Sequence, residues 1–208
     1  MKTKLTVPAA SLWLLSLAIL LTIYGMWLLF PLEITWLGLE DKVYLSSQTI
    51  QYNFNILMNY LTNPFQWTLV MPDFRSSASG LHHFEVVKYL FHLAQLVFLL
   101  TLPSAYFFVK NVVKKGYLSL YKNWFLAWFL VPVVIALLAV LIGFDNFFVL
   151  FHQILFAGDN TWMFDPAKDP VILILPEEFF MRAFIVFFAL YEVFFISLAV
   201  TARWKDSK

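Results

Sequence analysis

Residues Trp124 to Gly143 read WFLAWFLVPVVIALLAVLIG, an apolar stretch that carries no charged side chain. At about 1.5 Å of rise per helical residue, roughly 20 such residues cross the ~30 Å hydrocarbon core of a bilayer. Three other runs share that character, from about Ala9 to Leu32, from Val86 to Val109 and from Phe179 to Thr201. The expected spans are therefore residues 9–32, 86–109, 124–143 and 179–201. A cleaved signal peptide is the competing reading of the first run. Its apolar region normally covers only about 7–15 residues and ends at a small-residue site, whereas this run ends in Trp27-Leu-Leu-Phe-Pro31. Pro103 is expected to kink the second span.

Composition agrees with that reading. The chain of 208 residues is 62% hydrophobic and 13% charged, well outside the range of soluble domains. Its 24 Phe and 8 Trp suit an outer surface that faces lipid, with Trp and Tyr at the interfaces. A net charge of +1 lacks the basic face needed to grip phosphates, so nucleic acid is excluded as a partner. Membrane lipid is the expected environment. The absence of Cys removes disulfides, thiolate metal ligands and a thioester intermediate.

Lys and Arg are retained on the cytoplasmic side of short loops, which orients the spans. Lys2 and Lys4 precede the first span, Lys110, Lys114, Lys115 and Lys122 lie between the second and third, and Arg203, Lys205 and Lys208 follow the fourth. Most acids fall in the two other segments. The chain is thus expected to be an all-α polytopic membrane protein forming one integral domain over residues 1–208. Both termini face the cytoplasm of a cell membrane, and loops 33–85 and 144–178 build an extracellular cap.

Those loops exceed the usual length of structureless connections. Ser46 or Ser47 is placed to cap a helix bearing Ile50, Phe54, Leu57 and Leu61 at helical spacing, stopped by Asn63-Pro64. Asp145 is placed to cap a second helix, Phe147 to Phe156, with Gly158 as terminator. Two Asp-Pro turns, Asp165-Pro166 and Asp169-Pro170, lead to a buried strand-like stretch, Val171 to Leu175. Pro176 with Glu177 and Glu178 makes a favourable helix start, and a carboxylate there would also orient a histidine.

Three of the four histidines belong to this layer: His82 and His83 ahead of the second span, and His152 in the second cap helix. A lone histidine on an apolar surface is commonly a packing residue. Two outer segments that each deliver one to the same level form a candidate acid–base set. A metal site built from His82, His83, His152 and Asp159 or Glu85 is disfavoured, because adjacent histidines diverge on a helix and no H-x-x-x-H spacing is present. No metal and no cofactor are expected. Glu85, Lys88, His92 and Gln95 recur on one helical face, read as facing inward, and Glu192 lies near the bilayer midplane, where Gln95 or His92 is its expected hydrogen-bond partner.

The motifs His83-Phe-Glu-Val-Val-Lys88 and Phe151-His-Gln-Ile-Leu-Phe156, followed by Asp159, Trp162, the two Asp-Pro pairs and Leu175-Pro-Glu-Glu-Phe-Phe180, resemble the lipoprotein intramolecular transacylase family, Lit, of Gram-positive bacteria. Asn59-Tyr60-Leu61 adds a weaker match. In that family an acid immediately precedes the Val-Lys pair, whereas here Val86 stands there with Glu85 beside it, so His82 shares the candidacy of His83. The resemblance implies four spans beneath an extracellular cap, with histidines at the junction of cap and membrane. It implies acyl transfer within a diacylglyceryl lipoprotein, from the glyceryl sn-2 ester to the α-amino group of the N-terminal cysteine. No protein nucleophile is needed, which suits a chain lacking Cys and a G-x-S-x-G elbow. His83 is assigned the base, and His152 the oxyanion or the departing glyceryl oxygen. Tyr60, Lys88, Phe148, Phe156, Trp162, Asp165, Glu177 and Glu178 are the expected substrate-binding residues. The rival readings are a non-enzymatic scaffold or a transport-complex subunit, and a transporter, for which the halves offer no internal repeat.

Overall fold

The computed structural model describes residues 3–206, with side chains from Leu5 to Arg203. The termini of the charge argument, Lys2 and Lys208, lie outside the described residues, as do the side chains of Lys4 and Lys205. Among the described residues seven α-helices follow one another: α1 (Thr3–Trp36), α2 (Leu39–Val43), α3 (Ser47–Thr62), α4 (Ala78–Phe108), α5 (Lys122–Ile142), α6 (Phe144–Leu155) and α7 (Glu177–Asp206). Among the described residues there is no strand. Helices α1, α4, α5 and α7 are long and apolar enough to cross a membrane. They begin before the expected limits because helical turns continue into the polar flanks, α4 and α5 each end one residue short of theirs, and α4 stays helical through Pro103.

The chain divides into two compact units. The first holds residues up to Thr22, Ala94–Gly143 and those from Phe184 onward. Its core is built from Val7, Phe108, Phe125, Tyr191 and Phe195, with Trp128 stacked on Phe195 at 5.3 Å. Outside that core its surface stays greasy: Val140 and Leu141 are each 80% exposed. Apolar side chains outward on an apolar helix are what a lipid solvent demands. Glu192 is the exception, and neither of its carboxyl oxygens has a hydrogen-bond partner, so the bond expected of it is not made.

The second unit comprises Ile23–Leu93 and Phe144–Ala183. Phe30 of α1 stacks on Phe54 of α3, and Phe179 of α7 meets both edge-on at 5.7 and 6.0 Å. Ile34, Leu39, Ile50, Leu57 and Ile174 complete this core, all 1% exposed or less. The capping residue of α3 is Ser46, whose Oγ accepts the Thr49 N–H, a contact worth about 1 kcal/mol. Asn63 ends the same helix, as its Pro64 neighbour requires.

Three local expectations are corrected. Asp145 does not cap α6, which starts one residue earlier at Phe144, directly after Gly143 at φ +83°, and stops at Leu155 rather than Phe156. In the Val171 to Leu175 stretch, Val171, Ile174 and Leu175 are buried, but the backbone forms a 3₁₀ turn, Pro170–Ile174, closed by Ile172 N–H to the Asp169 carbonyl and Leu175 N–H to the Ile172 carbonyl. A strand needs a neighbour to satisfy its ladder, and the i to i+3 bonds satisfy this backbone locally. Glu85 does not face inward with Lys88: it is half exposed and accepts the Tyr89 hydroxyl at 2.9 Å, whereas Lys88 is buried.

Candidate active site

Two helices bring the histidines together. His83 lies in the second turn of α4 and His152 in the last turn of α6, with ring centroids 6.2 Å apart. Both are buried, at 7% and 9% exposure. Phe156 touches both rings, at 5.0 Å from His83 and 5.5 Å from His152. Phe164 meets His83 edge-on at 5.4 Å, and Phe148 and Trp162 lie 4.2 and 4.8 Å from His152. The pair therefore sits in an aromatic cage, where two imidazolium charges at this spacing repel each other with little water to screen them.

One hydrogen bond fixes the tautomer of His152. Its Nδ1 lies 2.8 Å from the carbonyl oxygen of Phe148. A carbonyl only accepts, so Nδ1 carries the proton and neutral His152 keeps its free lone pair on Nε2. Burial among the rings lowers the His152 pKa below the ordinary 6.5, opposed by that hydrogen bond. A neutral imidazole with a held Nδ1–H is the form a general base needs. With Nδ1–H held by the Phe148 carbonyl, His152 is able to accept a proton at Nε2, the capacity that the sequence reading had placed on His83.

His82 points elsewhere: its side chain is 55% exposed, with Nε2 3.5 Å from Asp159 Oδ2. Asp159 is itself held by the Thr161 N–H at 2.8 Å. Between the adjacent histidines, His83 is the one that joins His152. Among the described residues no group of three or more His, Cys, Asp and Glu side chains is arranged around a metal.

The expected substrate-binding residues separate into those around the pair and those elsewhere. Phe148, Phe156 and Trp162 form the cage walls. Lys88 is anchored at the C-terminal end of α3, donating to the carbonyls of Tyr60 (2.8 Å), Asn63 (3.0 Å) and Gln66, with Nζ 4.4 Å above the Tyr60 ring. All three ammonium protons are thus matched by acceptors. Lys88 and Tyr60 brace the loop that follows α3. Asp165 lies on the surface, where its carboxylate closes a turn with the Ala167 N–H and pairs with Lys168. Glu177 and Glu178 occupy the first turn of α7, suited to its positive end, with Glu177 facing the Asp145 carboxyl.

Phe164, which packs on His83, is absent from the residues expected around the pair, and so is Asp169, which the next loop turn holds. Asp169-Pro170 read as a turn former, and nothing in a single sequence announces which ring of 24 Phe will reach a histidine.

The geometry can be set beside known proteins. The in meso structure of the membrane integral lipoprotein intramolecular transacylase Lit from Bacillus cereus is similar at 29% identity and a TM-score of 0.82, covering 99% of this chain and 94% of that one. A structure of the same bacterial protein with a histidine changed to arginine aligns at 30% identity and TM-score 0.76, covering 96% of this chain and 88% of that one. Another, with a histidine changed to alanine, aligns at 29% and 0.78, covering 99% and 92%. Comparison with curated proteins finds no match. The family model described as lipoprotein intramolecular transacylase Lit matches residues 5–180. The chain is accordingly a membrane-integral acyltransferase and belongs to the lipoprotein intramolecular transacylase family, Lit.

Proposed function

We propose that this chain moves an acyl group within a diacylglyceryl lipoprotein, from the glyceryl sn-2 oxygen to the α-amino group of the N-terminal cysteine. The observation that carries the reading is the buried His83–His152 pair, 6.2 Å between centroids, in a chain of this family. The amine nitrogen attacks the ester carbonyl carbon, an N–C bond forms, and the bond from that carbon to the sn-2 oxygen breaks. The proton lost by nitrogen ends on that oxygen, so the reaction needs no co-reactant and no redox partner. His152 Nε2 accepts the proton. His83 stabilises the tetrahedral oxyanion or delivers the proton to the departing oxygen. Because nucleophile and ester belong to one substrate, positioning alone supplies several kcal/mol.

The aromatic cage suits acyl chains, since it offers apolar walls around a few polar atoms. The charge bias of the loops supports an orientation with the site on the outer face of the cell membrane and both termini in the cytoplasm. The test is mass spectrometry of a purified lipoprotein from cells with and without this chain. The N-acyl S-monoacylglyceryl form is expected only where the chain is present, and it disappears with His83→Ala or His152→Ala. Identical lipoproteins in all strains would instead favour a scaffold or transport-complex subunit. In the same cells, Tyr44→Cys, at a position 91% exposed, reports the side by reaction with a membrane-impermeant thiol reagent.

A further inference from the structure

Asp169 is buried at 4% exposure and spends both carboxyl oxygens on one residue, Ser77. Oδ1 accepts the Ser77 N–H at 2.7 Å and Oδ2 accepts the Ser77 hydroxyl at 2.7 Å. Ser77 in turn starts α4: its Oγ accepts the Gly80 N–H at 3.0 Å and its carbonyl accepts the Leu81 N–H at 2.9 Å. The Gly80 N–H, an orphan donor of the first turn, is thereby satisfied, with a carboxylate behind it at the positive end of the helix. The other side of Asp169 is equally tied. Its N–H donates to the Asp165 carbonyl, and Arg75 reaches the Ala167 carbonyl two residues away.

Gly80 shows how close the two segments lie. A Cβ at this position would strike the Asp169 carboxylate and come within 3.0 Å of the Phe164 ring. Glycine in a helix costs about 0.5–1 kcal/mol against alanine, so its presence here answers a close approach rather than a helical preference. His83 stands six residues beyond Ser77, about 9 Å along the axis. The loop that supplies Asp169 also supplies Phe164, which packs on His83 at 5.4 Å and on Phe84 at 5.3 Å.

We propose that Ser77, Gly80 and Asp169 form a clamp that sets the position of His83 against His152, with Asp169 acting as a positioning residue. The inference rests on the transacylase site described under the proposed function. The clamp fixes two freedoms of α4, its axial register and its rotation, by holding the backbone of its first turn to the loop that walls the cage. A histidine one or two turns along inherits that constraint. Misplacement by about 1 Å can cost on the order of 10²-fold in rate, so a device of this kind acts on kcat without touching substrate.

The test uses purified full-length chain in detergent with a diacylglyceryl lipopeptide, comparing Asp169→Ala, Asp169→Asn and Gly80→Ala. Asp169→Ala is expected to lower kcat by roughly 10–10²-fold while KM stays within about threefold. Asp169→Asn retains an acceptor for the Ser77 N–H and recovers most of that loss. Gly80→Ala improves the helical preference of α4 yet lowers kcat, because the carboxylate is pushed away. In parallel, the His83 imidazole nitrogen resonances, assigned by their loss in His83→Gln, are expected to shift in Asp169→Ala and Gly80→Ala. Unchanged kcat in both variants, or unmoved His83 resonances in folded protein, overturns the clamp. Parent protein that makes no lyso-form product overturns the transacylase reading instead, and the resonances still decide whether the clamp holds His83.

Discussion

The two units share side-chain bonds to the carbonyl one turn back, as at Ser11 and Thr62, and differ in what their buried amide and charged groups tie together. In the first unit the buried serines satisfy themselves within one helical turn: Ser11 Oγ donates to the Val7 carbonyl and Ser16 Oγ to the Trp13 carbonyl. Trp124 to Ser11 and Tyr191 to Trp128 are bonds that cross between helices there. In the second unit a buried amide, an ammonium and a carboxylate bond to other segments of the chain. Asn53 binds Asp73, Lys88 binds the end of α3, and Asp169 binds Ser77 from 92 residues away. Local satisfaction lets a helix sit in lipid without depending on a neighbour, whereas long-range satisfaction fixes one arrangement of several segments. The chemistry is expected where the second strategy rules, because a reaction needs side chains from different segments at fixed distances.

The largest effect that would break this contrast concerns the histidines. His83→Ala and His152→Ala are each expected to lower turnover by about 10²–10⁴-fold, the range for a positioned acid or base. If the two act in one proton cycle, the double variant should cost little more than the worse single one. His82→Ala, on the exposed side, is expected to retain at least a tenth of parent activity. A dead His82→Ala beside an active His83→Ala would move the site one residue along α4.

Next in size is Lys88→Met. Removing the ammonium leaves the carbonyls of Tyr60, Asn63 and Gln66 without their buried donor, at about 1–3 kcal/mol for each that water cannot reach. The expected result is a lower unfolding midpoint, with KM of the folded fraction within about threefold of the parent. A raised KM at unchanged stability would return Lys88 to the substrate.

A smaller effect lies in the pH profile. As the proposed base, His152 must be neutral to accept a proton, so activity is expected above its pKa and lost as the pH falls through it. Burial lowers that pKa, which puts the acid limb of kcat below pH 6.5. Phe156→Ala opens the cage to water, stabilises the imidazolium and should move the midpoint up toward 6.5. A limb that stays in place would mean that another group sets it.

The helical plan was readable because lipid imposes one rule along each span, a run of apolar residues of fixed length. The cap resisted reading in proportion to its dependence on distant partners. Ser46 could be found as a cap, since its bond reaches only to Thr49. The 3₁₀ turn at Pro170–Ile174 was mistaken for a strand because an apolar run of five has no periodicity to separate the two. His83 and His152 were visible as chemistry, but which of His82 and His83 turns inward depends on the rotation of α4. The clamp at Asp169 was invisible for the same reason: its partner is 92 residues away, and only the tertiary arrangement makes Gly80 more than a weak helix former.

The finest test of the contrast lies in the first unit, at Glu192. Its two oxygens are buried with no hydrogen-bond partner, in a helix apolar enough to span the bilayer. A carboxyl in such a place is a functional candidate by default, so it is the residue best able to contradict a site confined to the other unit. If the chemistry belongs to the histidine cage, Glu192→Gln should leave turnover within about threefold. Glu192→Leu should do the same while raising the unfolding midpoint, because it removes an unsatisfied polar group whose burial costs about 1–3 kcal/mol. A loss of turnover in both variants, with protein still folded, would show that a proton or a polar substrate group reaches the carboxyl. A loss in Leu alone would show instead that the carboxyl holds a hydrogen bond needed for assembly. Stability and turnover therefore have to be measured on the same preparations.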